Sequence, residues 1–204
     1  MPKRHRSHNS ASGYDLASSV YDKKEGYLNS FEQGKAIPLL GHVAGREILD
    51  VGAGTGRLAL PLALSGARVT ALDISAGMLS VLARKDRGKH VRTVLGEAEA
   101  LPFAGETFDA VTAAFVIVHL KDPRRFFDEA YRVLKNGGLF LITNINQKDP
   151  PEINTPEGNI VIESYYHRPE RVREVLAKLA FSIEREETIR ENGVWINQII
   201  LARK

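Results

Sequence analysis

The sequence predicts an α/β fold: a doubly wound, seven-stranded, mostly parallel sheet that closes with an antiparallel C-terminal hairpin. Three observations predict it. Apolar strand-like and helix-like runs alternate over residues 47–143, which is typical of a parallel sheet with helices on both faces. The first strand-like run enters a turn with alternating glycines, Gly52, Gly54 and Gly56. Near the C-terminus, Asn192-Gly193 separates two strand-like runs, and this pair suits a hairpin turn with positive φ.

The elements follow from local patterns, taken in chain order. Strands are predicted at 47–51, 68–72, 91–95, 110–114 and 139–143, and helices at 57–65, 76–85 and 123–135. The last of these helices has the clearest signals, since Asp122 can cap it, Pro123 fits its first turn and 136–138 supplies Asn-Gly-Gly as a stop. Its phenylalanines are expected in the core. Beyond it we expect a polar loop at 144–159, a short strand at 160–162, a helix at 169–179, and strands at 182–189 and 195–202 joined by residues 191–193.

The 204 residues suffice for one domain with a substantial core. We expect a disordered basic arm at 1–13 and a single domain at 14–204. Within that domain, 14–43 is predicted to be a helical lid, 46–143 a cofactor-binding core, and 144–204 a C-terminal segment on the substrate side. The lid is expected to contain one or two helices, broken near Gly26 and closed by Gly34, Pro38 and Gly41.

Composition excludes several classes of function. Hydrophobic residues make up 43% of the chain, but no apolar run approaches the roughly 20 residues of a membrane helix. We therefore expect a soluble, cytoplasmic protein with no membrane partner. The absence of cysteine excludes disulfides, thiolate metal sites and a cysteine nucleophile, and no metal is predicted. Lys3, Arg4 and Arg6 account for the whole net charge of +3, so a nucleic-acid partner is not expected, although the basic arm leaves that alternative open.

The glycine turn predicts a ligand with a nucleoside but no bound phosphate. A dinucleotide fingerprint has Gly-x-Gly-x-x-Gly with a pyrophosphate at the helix N-terminus, whereas here the third glycine comes one residue early. No Lys-Ser or Lys-Thr follows to hold a triphosphate. The turn therefore suits an uncharged edge, such as a ribose and an amino-acid tail.

Four motifs in order resemble the class I S-adenosylmethionine-dependent methyltransferases, in particular the subgroup of ubiquinone and menaquinone biosynthesis methyltransferases. The resemblance covers about residues 46–143 and implies a Rossmann-like fold that binds S-adenosylmethionine. The motifs are Ile-Leu-Asp-Val-Gly-Ala-Gly-Thr-Gly at 48–56, Val-Thr-Ala-Leu-Asp-Ile-Ser at 69–75, Gly-Glu-Ala-Glu-Ala-Leu-Pro-Phe at 96–103, and Phe-Asp-Ala-Val at 108–111 continuing to Arg-Val-Leu-Lys-Asn-Gly-Gly at 132–138.

The resemblance implies a set of cofactor-binding residues. Asp73 follows the second strand, where a carboxylate can accept both ribose hydroxyls; a cap for the next helix is the alternative. Glu97, where the family more usually has Asp, is expected to accept from the adenine amino group, with Ala98 meeting the ring. Asp50 is expected either to face the methionine end or only to order the glycine loop. Contacts are also expected from the remaining members of the set: Gly52, Ala53, Gly54, Gly56, Ile74, Met78 and Ala114.

The substrate side carries fewer signals. His119 is a candidate base, because a neutral imidazole can take a proton from an attacking hydroxyl, and a shaping role is the alternative. The family often has two successive histidines, whereas Val118 precedes His119 here. Tyr14 and Tyr21 resemble lid tyrosines that cover the cofactor, although their spacing also fits simple docking of a helix.

These features together predict an S-adenosylmethionine-dependent methyltransferase that acts on a small or medium-sized acceptor by in-line transfer. Two alternatives stay open: a methyltransferase of protein or RNA, and a binding module that holds the cofactor or its demethylated product without catalysis. The sequence does not name the acceptor or the oligomeric state.

Overall fold

The computed structural model describes residues 6–32 and 34–204, and within them two sheets. The smaller sheet has three strands: β1 (Arg6–His8), β7 (Glu152–Thr155) and β8 (Gly158–Ile162). The main sheet has seven: β2 (Glu47–Val51), β3 (Arg68–Asp73), β4 (Val91–Leu95), β5 (Phe108–Ala113), β6 (Leu134–Ile145), β9 (Ser182–Glu191) and β10 (Val194–Arg203).

The main sheet confirms the predicted fold class. Its strand order is β4-β3-β2-β5-β6-β10-β9, and the first five strands run parallel. The order turns back between β2 and β5, the kind of position where open α/β sheets bind ligands beyond the carboxyl ends of their strands. Strand β10 is antiparallel to both β6 and β9, which gives the predicted C-terminal hairpin.

Helices cover both faces of the main sheet. One face packs against α6 (Arg124–Val133) and α7 (Pro169–Lys178), and Phe126 and Phe127 are fully buried there, as predicted. The other face packs against α3 (Ala36–Leu39), α4 (Ala59–Leu64) and α5 (Ala76–Lys85). The two apolar clusters enclose the sheet, so its strand ends have fixed positions.

Several boundaries differ from the prediction because strand pairing overrides local signals. The predicted helix at 123–135 ends at Val133, since Leu134 is already extended and pairs with Phe108. The Asn-Gly-Gly stop therefore lies inside β6. In the hairpin, β9 continues to Glu191, which leaves Asn192 (φ 49°) and Gly193 (φ 80°) as the turn.

The prediction of a disordered arm at 1–13 is wrong for residues 6–13; residues 1–5 lie outside the described part of the chain. Strand β1 pairs in parallel with β8, and α1 (Ser10–Ala17) follows at once with Asn9 as its N-cap. Asn9 Oδ1 accepts from the Ser12 N–H at 2.9 Å. The arm is ordered because α1 and the small sheet together bury Ala17 and Ile162.

The lid also breaks elsewhere than predicted. A 3₁₀ turn (Tyr21–Lys24) separates α1 from α2 (Glu25–Glu32), so the break precedes Gly26, which lies inside α2. Pro38 lies inside α3 rather than closing it, whereas Gly34 (φ 70°) and Gly41 (φ 65°) do mark helix ends.

The predicted loop at 144–159 is wrong in part. Strand β6 runs on to Ile145, and the polar stretch contains β7 and the start of β8. The short strand predicted at 160–162 is confirmed. Ile153 and Ile160 pair across β7 and β8 and are buried against α1, which explains why a polar segment forms strands.

Candidate active site

A cavity of about 410 Å³ lies at the carboxyl ends of the parallel strands, under the N-terminal segment. Its volume falls within the range of pockets that hold small molecules and cofactors. Most of the residues predicted from the sequence line it together: Tyr14, Tyr21, Gly52, Gly54, Asp73, Ile74, Met78, Glu97, Ala98, Ala114 and His119.

Each of the three positions in the turn requires glycine for a different structural reason. Gly54 (φ 54°) borders open space, since a Cβ there would meet no atom within 4 Å. A Cβ at Gly52 would lie 2.4 Å from Cγ2 of Val116, and one at Gly56 would lie 3.0 Å from Cγ of Leu82. Only Gly52 and Gly54 line the cavity; Gly56 serves close packing behind it. The turn thus offers a ligand an open backbone at Gly54.

Asp73 joins the glycine turn to the next helix. Its carboxylate is buried and accepts the N–H groups of Gly54 and Ser75, both at 2.8 Å. Burial raises the pKa of Asp73, while the hydrogen bonds from Ser75 and Gly54 act in the opposite direction. The backbone of Ile74 also acts on this carboxylate, and because each carboxylate oxygen can accept more than one hydrogen bond, it can still accept from a ligand hydroxyl such as that of a ribose.

Asp50 lies behind the cavity wall rather than on it. It is buried on β2 beside Thr112 of β5, whose hydroxyl donates to Asp50 Oδ1 at 2.7 Å. Burial raises the pKa of Asp50 to about 7, and the hydrogen bond from Thr112 opposes the rise. Of its two predicted roles, this position favours ordering the loop over contact with a ligand. Ala53 likewise lies outside the cavity lining.

The far end of the cavity is formed by the turn after β4. Glu97 is exposed at its rim, and Ala98 and Glu99 follow it along the wall. Across from them, Ile74 and Met78 supply apolar surface from the turn after β3 and from α5. Such a slot, apolar on one side and with an acidic acceptor at its rim, has the chemistry to hold a heterocyclic base with an amino group.

Tyr14 and His119 form a hydrogen-bonded pair in the cavity. The Tyr14 hydroxyl lies 2.7 Å from His119 Nε2, and the Nδ1 of the same ring lies 2.9 Å from the Glu163 carbonyl oxygen. Since a carbonyl only accepts, Nδ1 carries the proton and Nε2 accepts from Tyr14. Burial lowers the pKa of His119 and raises that of Tyr14 well above its usual value. At neutral pH the pair is therefore uncharged, and Nε2 of the imidazole can take up a proton through the Tyr14 hydroxyl.

Comparison with known proteins decides the family. Residues 49–142 match the model of a methyltransferase domain. A demethylmenaquinone methyltransferase of Clavibacter sepedonicus is 37% identical over 174 residues, which cover 83% of this chain and 68% of that protein. A second, from Mycobacterium sp. (strain JLS), is 32% identical over 206 residues, covering 97% of this chain and 83% of the relative. The chain belongs to the class I S-adenosylmethionine-dependent methyltransferases.

Solved structures agree with the fold of this methyltransferase. An S-adenosylmethionine-dependent methyltransferase from Mesorhizobium loti has a TM-score of 0.74 at 18% identity, with 87% of this chain and 100% of that chain covered. Magnesium protoporphyrin IX methyltransferase from Synechocystis PCC 6803, with bound SAH, has a TM-score of 0.71 at 19% identity, covering 96% and 95%. The methyltransferase is an enzyme whose cofactor is S-adenosylmethionine, and the open backbone at Gly54 beside Asp73 fits that group.

The sequence did not identify several cavity residues of the methyltransferase. Asn9, Ser10 and Ala11 reach the cavity from the start of α1, and the Asn-x-x-Ser cap was the signal that would have placed a helix there. Phe115 also lines the cavity, with a left-handed φ of 61°. A bulky residue in that conformation costs about 1–3 kcal/mol and is typical of functional sites. No sequence pattern reveals such a backbone.

The N-terminal segment is held against the core by three carboxylates. Asp15 Oδ1 accepts from Ser75 Oγ at 2.6 Å and from the Gly77 N–H at 2.9 Å, at the N-terminus of α5. A Cβ at Gly77 would lie 2.9 Å from Ser18 Oγ and 3.1 Å from Asp15 Oδ1. Close approach of α1 to α5 therefore needs the glycine.

The second and third of these carboxylates, Asp22 and Glu32, bind the residues on either side of Gly56. Asp22 accepts from Thr55 Oγ1 at 2.5 Å. Glu32 forms a buried, bidentate ion pair with Arg57, with Nη1 to Oε2 at 2.6 Å and Nη2 to Oε1 at 3.1 Å. The segment that carries Tyr14 and Tyr21 is thus fixed directly to the turn that faces the cavity.

The described residues offer neither a membrane-spanning helix nor a metal site. No helix in this part of the chain is long and apolar enough to cross a membrane. Within residues 6–32 and 34–204, no group of three or more His, Cys, Asp or Glu side chains is arranged to hold a metal ion.

Proposed function

We propose that this methyltransferase methylates a ring carbon of a small aromatic acceptor of the hydroquinone type. The observation that carries the proposal is the Tyr14–His119 pair in the same cavity as the glycine turn and Asp73. The names of the relatives support it: two are demethylmenaquinone methyltransferases, and a 36% identical relative from Zymomonas mobilis is a ubiquinone/menaquinone biosynthesis C-methyltransferase.

The cofactor would be held by the residues on the glycine side of the cavity. Asp73 would accept the ribose hydroxyls, and the open backbone at Gly54 would face the amino-acid tail. Glu97 would accept from the adenine amino group, while Ile74 and Met78 would pack against the ring. When bound, the cofactor supplies a methyl group on a positively charged sulfur, with a neutral thioether as leaving group.

Tyr14 and His119 would handle the proton of the acceptor. A hydroquinone hydroxyl can donate to the Tyr14 oxygen as the Tyr14 proton moves to His119 Nε2. The Glu163 carbonyl oxygen, which already accepts from Nδ1, would stabilise the resulting imidazolium. Negative charge then spreads from the acceptor oxygen to a ring carbon, which attacks the methyl. A carbon–carbon bond would form while the electron pair of the broken carbon–sulfur bond stays on sulfur. The methylated ring would leave as its keto tautomer and exchange its ring-carbon proton for a hydroxyl proton in bulk water, and His119 would release its proton to solvent once the cavity opens.

The remaining contribution of the protein would be positioning in a dry site. Holding two reactants in line can lower a barrier by about 7–11 kcal/mol, so no further catalytic group is required. Tyr14 and Tyr21 contact each other edge to face, with ring centroids 5.8 Å apart, and close the cavity on the side of α1. They are well placed to exclude water.

Product analysis tests the proposal. The full chain would be incubated anaerobically with methyl-labelled cofactor and a prenylated naphthohydroquinone, and the product analysed by mass spectrometry. We expect one added methyl on a ring carbon. A methyl on oxygen, or no product from an enzyme that binds the cofactor, would contradict the proposal, and labelled protein or RNA after incubation with cell extract would favour those acceptors instead.

We also propose a cytoplasmic location and no nucleic-acid partner. Cell fractionation would test the location. Light scattering of the purified chain, with and without RNA, would test for RNA binding and would measure the oligomeric state, for which we make no prediction.

A further inference from the structure

We propose that Phe115 sets the plane of the acceptor ring and favours an electron-rich aromatic acceptor. The proposal rests on the proposed function and concerns a residue that neither the motifs nor the cofactor geometry assigns. Phe115 is half-buried and lines the cavity directly beyond β5, four residues before His119.

The backbone of Phe115 is held in a left-handed conformation from both sides. Its N–H donates to Thr143 Oγ1 at 3.0 Å, which ties it to β6. The next residue, Val116, lies where a side chain of Gly52 would be, so the loop and the glycine turn interlock. A φ of 61° is unfavourable for phenylalanine, whereas glycine adopts it freely. The ring is therefore kept in this position against a local preference.

The ring of Phe115 is also fixed in orientation. The Arg57 guanidinium lies over it, with Cζ 4.8 Å from the ring centroid, and Phe31 contacts it edge to face at 6.2 Å. Arg57 itself cannot swing away easily, because Glu32 binds it at two points in a buried ion pair. Since Arg57 covers one face and Phe31 contacts the ring at a steep angle, an acceptor in the cavity can reach the ring only by those parts of its other face and edge that Phe31 leaves open.

Either approach favours the same chemistry in the acceptor. A cation over one face draws π-electron density toward itself, which leaves the other face and the ring edge less negative. Such a surface attracts an electron-rich ring, such as a hydroquinone, and attracts an electron-poor quinone less. Contact with Phe115 would therefore align the acceptor ring and discriminate between its reduced and oxidised forms.

Binding measurements without turnover test the proposal. Equilibrium dialysis of the enzyme saturated with S-adenosylhomocysteine would compare naphthohydroquinone, kept reduced, with naphthoquinone. We expect the wild type to bind the reduced probe about fivefold more tightly, the size of effect that one aromatic contact gives. Phe115→Tyr should keep this preference, and Phe115→Leu should bring the ratio of the two affinities to about one.

The variant Phe115→Gly separates the effect of the aromatic ring from the effect of the left-handed backbone conformation. Glycine accepts the left-handed φ, and this relief offsets part of the packing that is lost with the ring, so the variant should still fold and keep its affinity for S-adenosylhomocysteine. It should nevertheless lose the preference for the reduced probe. Glu32→Gln combined with Arg57→Met removes the cation and its partner together, and should weaken the preference while the ring still binds both probes.

The outcomes separate this proposal from the proposed function. A wild type that methylates the prenylated naphthohydroquinone while Phe115→Gly keeps the fivefold preference would overturn the role of Phe115 alone. A wild type that binds neither probe and methylates neither would overturn both.

Discussion

The two walls of the cavity are built by different means. The wall on the glycine side comes from consecutive strand ends, and its key hydrogen bond, from Gly54 to Asp73, joins residues 19 apart in the chain. The opposite wall joins Tyr14 to His119, 105 residues apart, and His119 to the Glu163 carbonyl, 44 residues apart. The first wall is a local motif made largely of backbone. The second exists only when three distant segments meet.

The difference teaches where the two halves of the reaction are encoded. The residues proposed to hold the cofactor, the glycine turn and Asp73, follow successive strands and come together through short-range geometry. Proton transfer from an acceptor instead needs a hydroxyl and an imidazole within hydrogen-bond reach of each other, and neither residue is near the other in sequence. Substitutions on the two walls should therefore separate cofactor binding from turnover.

The largest expected effect is on turnover. Tyr14→Phe and His119→Gln should each lower the rate of methyl transfer about 100-fold, because each removes a member of the pair that we propose accepts the acceptor's proton. Affinity for the cofactor, measured by calorimetry, should stay within about twofold of the wild type. Tyr131→Phe is the matched control, since that ring packs against Phe181 in the core.

The pH dependence sharpens the same prediction. Burial lowers the pKa of His119 below 6.5, so the rate of the wild type should fall only at pH values below 6.5. His119→Gln should lack this acid limb. A His119→Gln enzyme with the wild-type rate between about pH 6 and 9 would remove His119 as a proton acceptor.

The next largest effect is on the stability of the fold, and it comes from Asp50, which lies behind the cavity wall on the side of the glycine turn. Below pH 3.8 Asp50 is protonated in both folded and unfolded states, and between 3.8 and about 7 only the folded state keeps the proton. The free energy of unfolding should therefore fall as the pH rises through this range and level off above about 7. Asp50→Asn, which can still accept from Thr112, should avoid a loss of about 2 kcal/mol between pH 5 and 7. Urea unfolding at several pH values measures it, and parallel curves for the two proteins would contradict the assignment.

A tenfold effect on cofactor binding is expected at Asp73. Asp73→Ala removes the carboxylate that we propose accepts the ribose hydroxyls, and with it the partner of the Gly54 N–H, so it should weaken binding about tenfold or more. Asp73→Asn, which keeps one acceptor oxygen, should lose less. Calorimetry that finds tight binding unchanged in Asp73→Ala would show that the ribose assignment is mistaken.

The smallest effect tests how the two walls are joined. Gly77→Ala puts a methyl against the side chains of Ser18 and Asp15, so these side chains or α1 must shift, and cofactor affinity should fall about threefold. Gly26→Ala, in the same N-terminal segment but with open space around it, should leave affinity unchanged. Equal affinities in the two variants would mean that α1 does not need its close contact with α5.

The sequence predicted the elements that depend on local residues and missed those that depend on contacts between distant segments. Strands β2 and β4 and helix α5 have the predicted bounds, because hydrophobic periodicity and caps within each segment decide them. The ordered β1 and α1 were missed, since β1 forms only by pairing with β8, more than 150 residues away. The left-handed Phe115 was missed for a related reason: contacts with β6 and the glycine turn impose it, and no local residue preference signals it.

The sequence by itself determined the fold class and the glycine turn, because short-range periodicity and backbone conformation encode them, and its four ordered motifs carried the resemblance that implied the methyl donor. Only the tertiary structure decided that Asp50 lies behind the wall, that Tyr14 donates to His119, and that residues 9–11 reach the cavity. The physical reason is that side-chain partners far apart in the chain are chosen by packing. Burial then determines whether these side chains are charged, and no local sequence pattern encodes the pairing or the charge.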